Sequence, residues 1–239
     1  MTAPLPACCS ALDDQWPWPQ PLPDLKLIAL NYDAAALRDD DFLRCGIEAP
    51  ASVQRAVPKR KTEFLAGRLC AREALFRAIG VTVAPTTGED RAPQWPRDCV
   101  GSITHSNGWA AAVVGRKTHY AGVGLDVEMT MPDERALKLA PQILTLNERD
   151  RFATTMARAP GEFLTLAFSL KESLFKALYP LTRKRFYFEH AELVAWQPEG
   201  SARLRLLTDL SDDWRSGQEL AAHFLNRDNR ILSLIAINA

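Results

Sequence analysis

The sequence lacks the features that mark membrane, secreted and general nucleic-acid-binding proteins. No apolar run approaches the roughly 20 residues that a membrane-spanning helix needs. The start of the chain has neither the basic segment nor the apolar core of a secretory signal. Basic and acidic residues number 29 each, so the basic excess of a general nucleic-acid binder is missing. We therefore predict a cytoplasmic protein without membrane or nucleic-acid partners.

Signatures of disulfides and zinc are missing as well. The five cysteines form no CxxC pair and are odd in number, which argues against a disulfide framework or a zinc site. Reduced thiols that pack as small apolar side chains are the favoured interpretation, and catalytic or metal-bound cysteine is the alternative.

What the sequence does contain is an ordinary globular composition, with 47% apolar and 24% charged residues among 239. A chain of this length forms one large domain or two small ones. Helix and strand patterns follow each other without regular βα alternation, which predicts an α+β fold. The proline-rich start, residues 1–24, is predicted to be extended coil on the surface.

Two amphipathic helices and several short strands stand out from the pattern of apolar residues. One helix is predicted over 62–80, capped by Thr62 and ended by Gly80, and the other over 163–180, ended by Pro180. Strands are predicted at 25–32, 102–105, 109–115, 121–128, 191–196, 202–210 and 230–238.

The strand pattern GVGLDVE, residues 122–128, carries two carboxylates on one face. Side chains alternate along a strand, so Asp126 and Glu128 point the same way while Leu125 and Val127 point the other way. Two like charges this close repel each other, and a bound divalent cation such as Mg²⁺ would reverse that penalty. A strand end with both carboxylates in water is the alternative, and these seven residues alone do not exclude it.

The helix pattern FSLKESLFKALYP, residues 168–180, carries an acid and a base on one face. Its leucines form one apolar stripe, and Glu172 and Lys176 lie opposite that stripe, four residues apart. A solvated ion pair is the commonest role for such residues. Phe168 and Tyr179 flank the same face, however, and aromatic side chains beside an acid and a base indicate the wall of a cleft.

Residues 55–77 form a basic region in an otherwise neutral protein, with seven cations against two acids. Arg60 lies near the start of the predicted helix, where the helix dipole also favours an anion. Arginine forms bidentate bonds with phosphate, so a phosphate site is one interpretation and a solvated helix face is the other. His105, in GSITH, and Arg91, in the loop before it, are weak signals when taken alone.

Together these segments resemble the 4′-phosphopantetheinyl transferases, in particular the monomeric type that activates surfactin or enterobactin synthetases. That family carries a G(I/V)D-x-E strand motif and, some forty-odd residues later, a (F/W)-(S/A)-x-K-E-(S/A)-x-x-K helix motif. This chain has GVGLDVE followed by FSLKESLFKA. The enterobactin-type subgroup adds three motifs, which occur here as KRKTEFLAGRLCAR (59–72), RAPQWP (91–96) and GSITH (101–105).

The resemblance implies two similar α+β halves related by a pseudo-twofold axis, with the active site in the cleft between them. We expect an N-terminal extension over 1–24, a half over 25–122 that binds the 3′-phosphate of coenzyme A, and a half over 123–239 with the metal and carrier sites. The resemblance also implies a monomeric enzyme with holo-acyl-carrier-protein synthase activity. It would transfer the 4′-phosphopantetheine arm of coenzyme A to a serine of an apo acyl or peptidyl carrier protein and release 3′,5′-ADP.

The resemblance also implies a role for each motif residue. Asp126, Glu128 and Glu172 would bind Mg²⁺, with Mn²⁺ as the alternative, and Glu172 would also accept the proton of the acceptor serine. Lys176 would contact the phosphates and stabilise developing charge, with help from Lys171. The remaining contacts to coenzyme A would come from Arg60, Arg68, Arg91, Thr104 and His105.

Two other functions compete with this one. A different metal-dependent phosphoryl enzyme, such as a nucleotide pyrophosphatase, would act without a protein acceptor. A non-enzymatic module would bind coenzyme A or a carrier protein without needing a metal. Fatty-acid, polyketide and nonribosomal-peptide carriers are all candidate acceptors, and the basic stretch at 183–188 is a candidate surface for an acidic carrier helix.

Overall fold

A computed structural model describes residues 5–239 and divides the chain into two compact units. The first unit contains most of the residues up to 120, and the second contains residues 121–238 with the short stretch 17–19. Both units combine helices with β-strands, which confirms the predicted α+β class. Along the described chain, no helix is both long enough and apolar enough to cross a membrane.

Helices and strands alternate irregularly along the chain. The helices are α1 (Asp41–Cys45), α2 (Ala51–Gln54), α3 (Pro58–Ile79), α4 (Asp133–Ile143), α5 (Leu146–Arg151), α6 (Ala153–Arg158) and α7 (Pro160–Thr182). The strands are β1 (Lys26–Asn31), β2 (Thr86–Thr87), β3 (Pro93–Gln94), β4 (Cys99–Ser106), β5 (Trp109–Arg116), β6 (Tyr120–Met129), β7 (Ala191–Gln197), β8 (Ser201–Leu206), β9 (Glu219–Arg227) and β10 (Arg230–Asn238).

The first unit is built on a three-stranded antiparallel sheet in the order β1-β5-β4, with α3 packed against it. Leu65 and Leu69 of α3 are buried in its core. Asn107 and Gly108 close the β4–β5 hairpin with φ values of 43° and 77°, the left-handed conformation that two-residue hairpin turns need. His105 is the last residue but one of β4, just before this turn, and its ring contacts Arg60 of α3.

The proline-rich start lies along the outer edge of β1. Backbone hydrogen bonds join Asp13 and Ala29 in both directions, and Ser10 donates to the carbonyl of Asn31. Cys8 is 1% exposed and belongs to the core, so the segment is not only a surface coil as predicted. It covers backbone groups that an edge strand would otherwise leave unpaired. The first four residues of this segment lie outside the described part of the chain.

The second unit is built on a five-stranded sheet in the order β6-β10-β9-β8-β7, with α7 packed against β10 and α4. Two glycines let the backbone of β6 approach α7 closely. A Cβ atom on Gly124 would lie 1.9 Å from the carbonyl oxygen of Ser173, and one on Gly122 would lie 2.6 Å from that of Ala177. Because only glycine fits there, the strand GVGLDVE and the helix FSLKESLFKALYP come together.

The helix limits differ from the predicted ones for local reasons. Pro58 begins α3, because proline is preorganised for the first helical turn and lacks the N–H that would go unpaired there. Thr62 is therefore not the N-cap, and its hydroxyl donates to the Pro58 carbonyl within the helix. Near its end α7 continues through Pro180 to Thr182, although the proline lacks the N–H of one bond in the hydrogen-bond ladder. Gly80 ends α3 with a φ of 75°, as predicted.

Candidate functional site

An acidic cluster lies in the second unit, on β6 and α7. Asp126 is 4% exposed, and Glu128 and Glu172 are half-buried. Burial, followed by the charges of Asp126 and Glu172, raises the pKa of Glu128 to about 7. Burial also raises the pKa of Glu172, and Asp126 adds to the shift. The structure therefore brings the three predicted carboxylates into electrostatic contact.

Two cations oppose this accumulation of negative charge. Lys176 holds down the pKa of both Glu128 and Glu172, and Arg135 on α4 holds down that of Glu128. The net shift of the pKa of both glutamates is still upward, with burial as its largest cause. An added cation would favour the ionised carboxylates.

Lys176 joins the helix motif to the strand motif. Its ammonium group donates to Oδ1 of Asp126 at 2.7 Å and to the carbonyl oxygen of Leu125 at 3.0 Å. Lys176 lies one helical turn after Glu172, so the two side chains share one face of α7. The other carboxylate oxygen of Asp126, Oδ2, is buried and accepts no hydrogen bond within the described residues. A buried oxygen of this kind is costly unless a ligand or an ion satisfies it.

The carboxylates of the acidic cluster are suitable ligands for Mg²⁺, but in the described residues their side chains are not arranged around one ion position. Carboxylate oxygens are the hard ligands that Mg²⁺ prefers, and Oδ2 of Asp126 is free to be one of them. Across residues 5–239, no three or more His, Cys, Asp or Glu side chains are arranged so that they could hold one metal ion. Binding by all three predicted ligands therefore requires carboxylate side chains of the cluster to move.

Lys171 lies in the interior, away from the role expected of it. Its ammonium group donates to Oε2 of Glu148 at 2.7 Å, to the carbonyl of Ile143 at 2.8 Å and to that of Phe188 at 3.0 Å. These three acceptors use all three ammonium protons. The expectation that Lys171 helps to bind the phosphates is thus corrected, because no donor of this side chain is left for a ligand.

A cationic cluster lies in the first unit, between α3 and β4. Nη1 of Arg60 lies 2.9 Å from Nε2 of His105, and since a guanidinium only donates, the imidazole nitrogen accepts. The carboxylate of Glu63 lies 3.5 Å from Arg60 and 3.8 Å from the other ring nitrogen of His105. The acid thereby orients both predicted coenzyme A ligands.

Arg68 extends the cationic cluster inward. Its guanidinium lies 4.5 Å from the centre of the Phe64 ring and donates from Nη2 to the Thr87 hydroxyl at 3.0 Å. Burial, and after it the charge of Arg60, lowers the pKa of Arg68 to about 10. Its Nε is buried without a hydrogen-bond acceptor in the part of the chain that the structure describes. Two arginines that repel each other, one with an unused donor, form a site that favours an anion.

The other two predicted coenzyme A ligands, Arg91 and Thr104, are connected to the cationic cluster through neighbouring parts of the chain. Arg91 is exposed in the turn between β2 and β3, and Thr87 of the same hairpin contacts Arg68. Thr104 precedes His105 on β4, so its side chain points to the opposite face of the strand, where it is 3% exposed. Roles of Arg91 and Thr104 in ligand binding stay predictions.

Sequence reasoning missed three residues that shape the two clusters. Arg135 acts on Glu128 from the first turn of α4, and its only sequence signal is a basic residue shortly after the strand motif. Glu63 and Phe64 lie inside KRKTEF. In the sequence Glu63 is only one of the two acids of the basic region, and Phe64 gives no signal of its own. Their roles depend on contacts that the turn of α3 and the position of β4 create.

Two family models match the chain, one in each half. Residues 48–115 match the 4′-phosphopantetheinyl transferase N-terminal domain, and residues 122–234 match the 4′-phosphopantetheinyl transferase superfamily. The first match contains the cationic cluster, and the second contains the acidic cluster.

Individual relatives match parts of both halves. The chain is 41% identical over 166 residues to 4′-phosphopantetheinyl transferase Svp of Streptomyces mobaraensis, covering 67% of this chain and 65% of the relative. It is 38% identical over 160 residues to enterobactin synthase component D of Salmonella typhimurium, with the same two shares. It is 40% identical over 148 residues to the same component of Escherichia coli O157:H7, covering 62% of this chain and 68% of the relative. The chain thus spans just under two thirds of the first two relatives.

Proposed function

The chain belongs to the 4′-phosphopantetheinyl transferase family, and we propose that it transfers the 4′-phosphopantetheine arm of coenzyme A to a serine of an apo carrier protein. The observation that carries this proposal is the junction of the strand and helix motifs. Lys176 is bonded to Asp126 beside two half-buried glutamates, and one oxygen of Asp126 has no donor in the described chain. This arrangement has the charge and the donor set that a metal-dependent phosphoryl transfer needs.

In this proposal Asp126, Glu128 and Glu172 hold a divalent cation, for which Mg²⁺ and Mn²⁺ are both suitable. The raised pKa values of the two glutamates and the bare Oδ2 of Asp126 support this assignment. Held by these carboxylates, Mg²⁺ would supply positive charge against the negative charge that develops on the diphosphate of coenzyme A.

The side chains around this position have separate tasks. The acceptor hydroxyl forms a bond to the β-phosphorus of coenzyme A, the bond from that phosphorus to the leaving phosphate breaks, and 3′,5′-ADP is released. Glu172 is also the base that takes the hydroxyl proton in this proposal, since it is the carboxylate of the cluster that shares one face of α7 with Lys176. Lys176 donates two of its protons within the chain, which leaves one for a phosphate oxygen.

Arg60, Arg68 and His105 bind the phosphates of coenzyme A in this proposal. The two arginines repel each other, and Nε of Arg68 is a buried donor without an acceptor in the described chain. A bound phosphate would reduce the repulsion and accept a hydrogen bond from Nε. That the cationic and acidic clusters act on one coenzyme A molecule is part of the proposal. The nucleophile comes from the partner protein.

An assay with three components tests the proposal. The chain is incubated with coenzyme A, Mg²⁺ and an apo carrier protein, and the intact mass of the carrier is measured. We expect a gain of one phosphopantetheine arm and release of an equal amount of 3′,5′-ADP. Parallel reactions with fatty-acid, polyketide and nonribosomal-peptide carriers identify the acceptor class.

Two outcomes of this assay contradict the proposal. Cleavage of coenzyme A while the carrier mass stays unchanged would identify a pyrophosphatase. Binding of coenzyme A or of the carrier without any product would identify a non-enzymatic module. Asp126→Asn serves as the inactive control, because it removes one charge while the side-chain size is kept.

A further inference from the structure

A cavity of about 390 Å³ lies in the second unit, between helices α6 and α7 and strands β7, β9 and β10. It is separate from the acidic cluster, because Glu162 in its wall precedes Glu172 by ten residues, or about 15 Å along α7. Small-molecule sites have volumes of about 300–1,000 Å³. The cavity is therefore large enough for a ligand, and it has no task in the function proposed above.

The floor of the cavity is apolar and largely aromatic. Leu166 and Ile231 are buried in it. The half-buried ring of Trp196 contacts two buried rings, and its centre lies 6.4 Å from that of Phe163 and 6.2 Å from that of Phe224. A floor of this kind holds the apolar part of a ligand, and an indole that stays partly open offers a face for packing.

The mouth of the cavity is charged. Arg158, the last residue of α6, and Glu162 both line the cavity and are exposed. Within residues 5–239, Arg158 forms no ion pair. Oε1 of Glu162 accepts a hydrogen bond from Nδ2 of Asn226 at 2.5 Å, while its Oε2 has no donor in the described chain. The mouth thus offers one cation and one carboxylate oxygen, both available to a ligand.

We propose that this cavity binds a free α-amino acid with a large apolar side chain. The ligand carboxylate pairs with the guanidinium of Arg158, and the ligand ammonium group donates to Oε2 of Glu162. The ligand side chain packs against Trp196 and the buried floor. This inference does not rest on the proposed function.

Charge complementarity selects this class of ligand. An acid without an amine would lie beside the unopposed charge of Glu162, and an amine without a carboxylate would lie beside that of Arg158. A neutral apolar molecule would cover both charges without pairing them. A zwitterion with an apolar body matches the cation, the carboxylate and the floor together.

A titration monitored at Trp196 tests the site. In an NMR spectrum of the isotope-labelled full chain, the indole N–H signal of Trp196 is the one that disappears in Trp196→Phe. We expect L-phenylalanine to shift this signal with a Kd of about 1 mM or lower, which ligands of about 12 non-hydrogen atoms reach at ordinary efficiency. The absence of any shift up to about 10 mM would overturn the site.

Analogues and variants identify which charge binds which group. Phenylpropionate lacks the amine, phenylethylamine lacks the carboxylate, and both should bind more weakly than L-phenylalanine. Arg158→Gln should weaken L-phenylalanine and phenylpropionate about threefold, within the range of an exposed ion pair, without weakening phenylethylamine. Glu162→Gln should weaken L-phenylalanine and phenylethylamine without weakening phenylpropionate, and the new amide can still accept from Asn226.

Arg149→Gln and Asp150→Asn are the matched controls. Both residues are exposed on α5, have no ion pair among the described residues and lie outside the cavity wall. Melting temperatures verify that all four variants fold. The proposal is overturned if either analogue binds as tightly as L-phenylalanine, or if a control weakens binding as much as its counterpart. Because the titration contains neither coenzyme A nor carrier, binding without transfer in the separate assay would overturn only the proposed function.

Discussion

The cationic cluster of the first unit and the acidic cluster of the second are opposite in charge and alike in being unbalanced. Burial and Arg60 lower the pKa of Arg68 to about 10, while burial and neighbouring carboxylates raise that of Glu128 to about 7. Each cluster also contains a buried polar atom without a hydrogen bond in the described chain, on Arg68 and on Asp126. Such perturbed groups are concentrated at functional sites, and a ligand of opposite charge would relieve each cluster.

The pair of Glu148 and Lys171 shows what a balanced cluster looks like in the same protein. Both side chains are almost completely buried, yet every proton of the lysine is donated. The carboxylate of Glu148 accepts from the backbone N–H groups of Thr145 and Leu193 as well. Burial also lowers the pKa of Lys171, so burial alone does not separate this pair from the two clusters. The difference is that the polar atoms of the pair are bonded within the fold, whereas Oδ2 of Asp126 and Nε of Arg68 have no partner in the described chain.

Neutralising the acidic cluster should have the largest effect. We expect Asp126→Asn and Glu172→Gln each to lower carrier modification below about 1% of wild type, since loss of a residue that merely supports a metal ligand already costs about 10–100-fold. The melting temperature of Glu172→Gln should stay the same or rise, because removing its charge removes one source of repulsion on Glu128. That of Asp126→Asn should fall slightly, because the substitution also weakens the ion pair with Lys176. Intact-mass assays and circular dichroism measure both quantities, with the exposed Glu134→Gln as control. Undiminished transfer by either variant would refute the assignment of these carboxylates.

Breaking the balanced pair should affect stability and leave catalysis intact. Lys171→Met leaves the Glu148 charge buried without its cation, and we expect the free energy of unfolding to fall by about 3–5 kcal/mol. Urea denaturation measures the loss. Lys138→Met is the control, because Lys138 pairs with Glu134 at the surface and such pairs contribute about 1 kcal/mol or less. An increased KM for coenzyme A at unchanged stability would restore the phosphate-binding role that the sequence suggested for Lys171.

The two long helices and most strands could be predicted from the sequence because their apolar residues repeat with the right period. Pro58 marks the start of α3 by the same rules of helix capping, although the prediction began the helix at Thr62. Strand β9 (Glu219–Arg227) was missed. Its buried positions alternate as in an ordinary strand, but small alanines on both faces weaken the contrast that the pattern depends on.

The site could be predicted only where chain-local rules apply. Strand alternation places Asp126 and Glu128 on one face, and helix spacing pairs Glu172 with Lys176. Lys171 is adjacent to Glu172, yet it points to a different side of α7, where Glu148 from α5 receives it. No local rule reveals that partner, because the contact joins residues that lie far apart in the sequence.

Weakening the cationic cluster should have a smaller effect than neutralising the acidic one. We expect Arg60→Ala to raise the KM for coenzyme A about tenfold, the value of one charge-assisted contact, with little change in kcat. Adding His105→Ala should raise it by less than the product of the single effects, because the two side chains touch at 2.9 Å. Steady-state kinetics with Lys59→Ala as the exposed neighbouring control test this. A lowered kcat at constant KM would contradict a binding role and move Arg60 into the chemistry.

The smallest expected effect is stabilisation of the acidic cluster by Mg²⁺. A concentration about tenfold above Kd contributes about 1.4 kcal/mol, or roughly 3–6 °C in melting temperature for a chain of this size. The rise should be larger at pH 8 than at pH 6, because Glu128, whose pKa is raised to about 7, must lose its proton before it can bind the ion. Potassium chloride at equal ionic strength should not reproduce it, and Asp126→Asn should remove it. If the rise survives Asp126→Asn, the ion binds elsewhere, and the imbalance of the acidic cluster is then relieved by another partner.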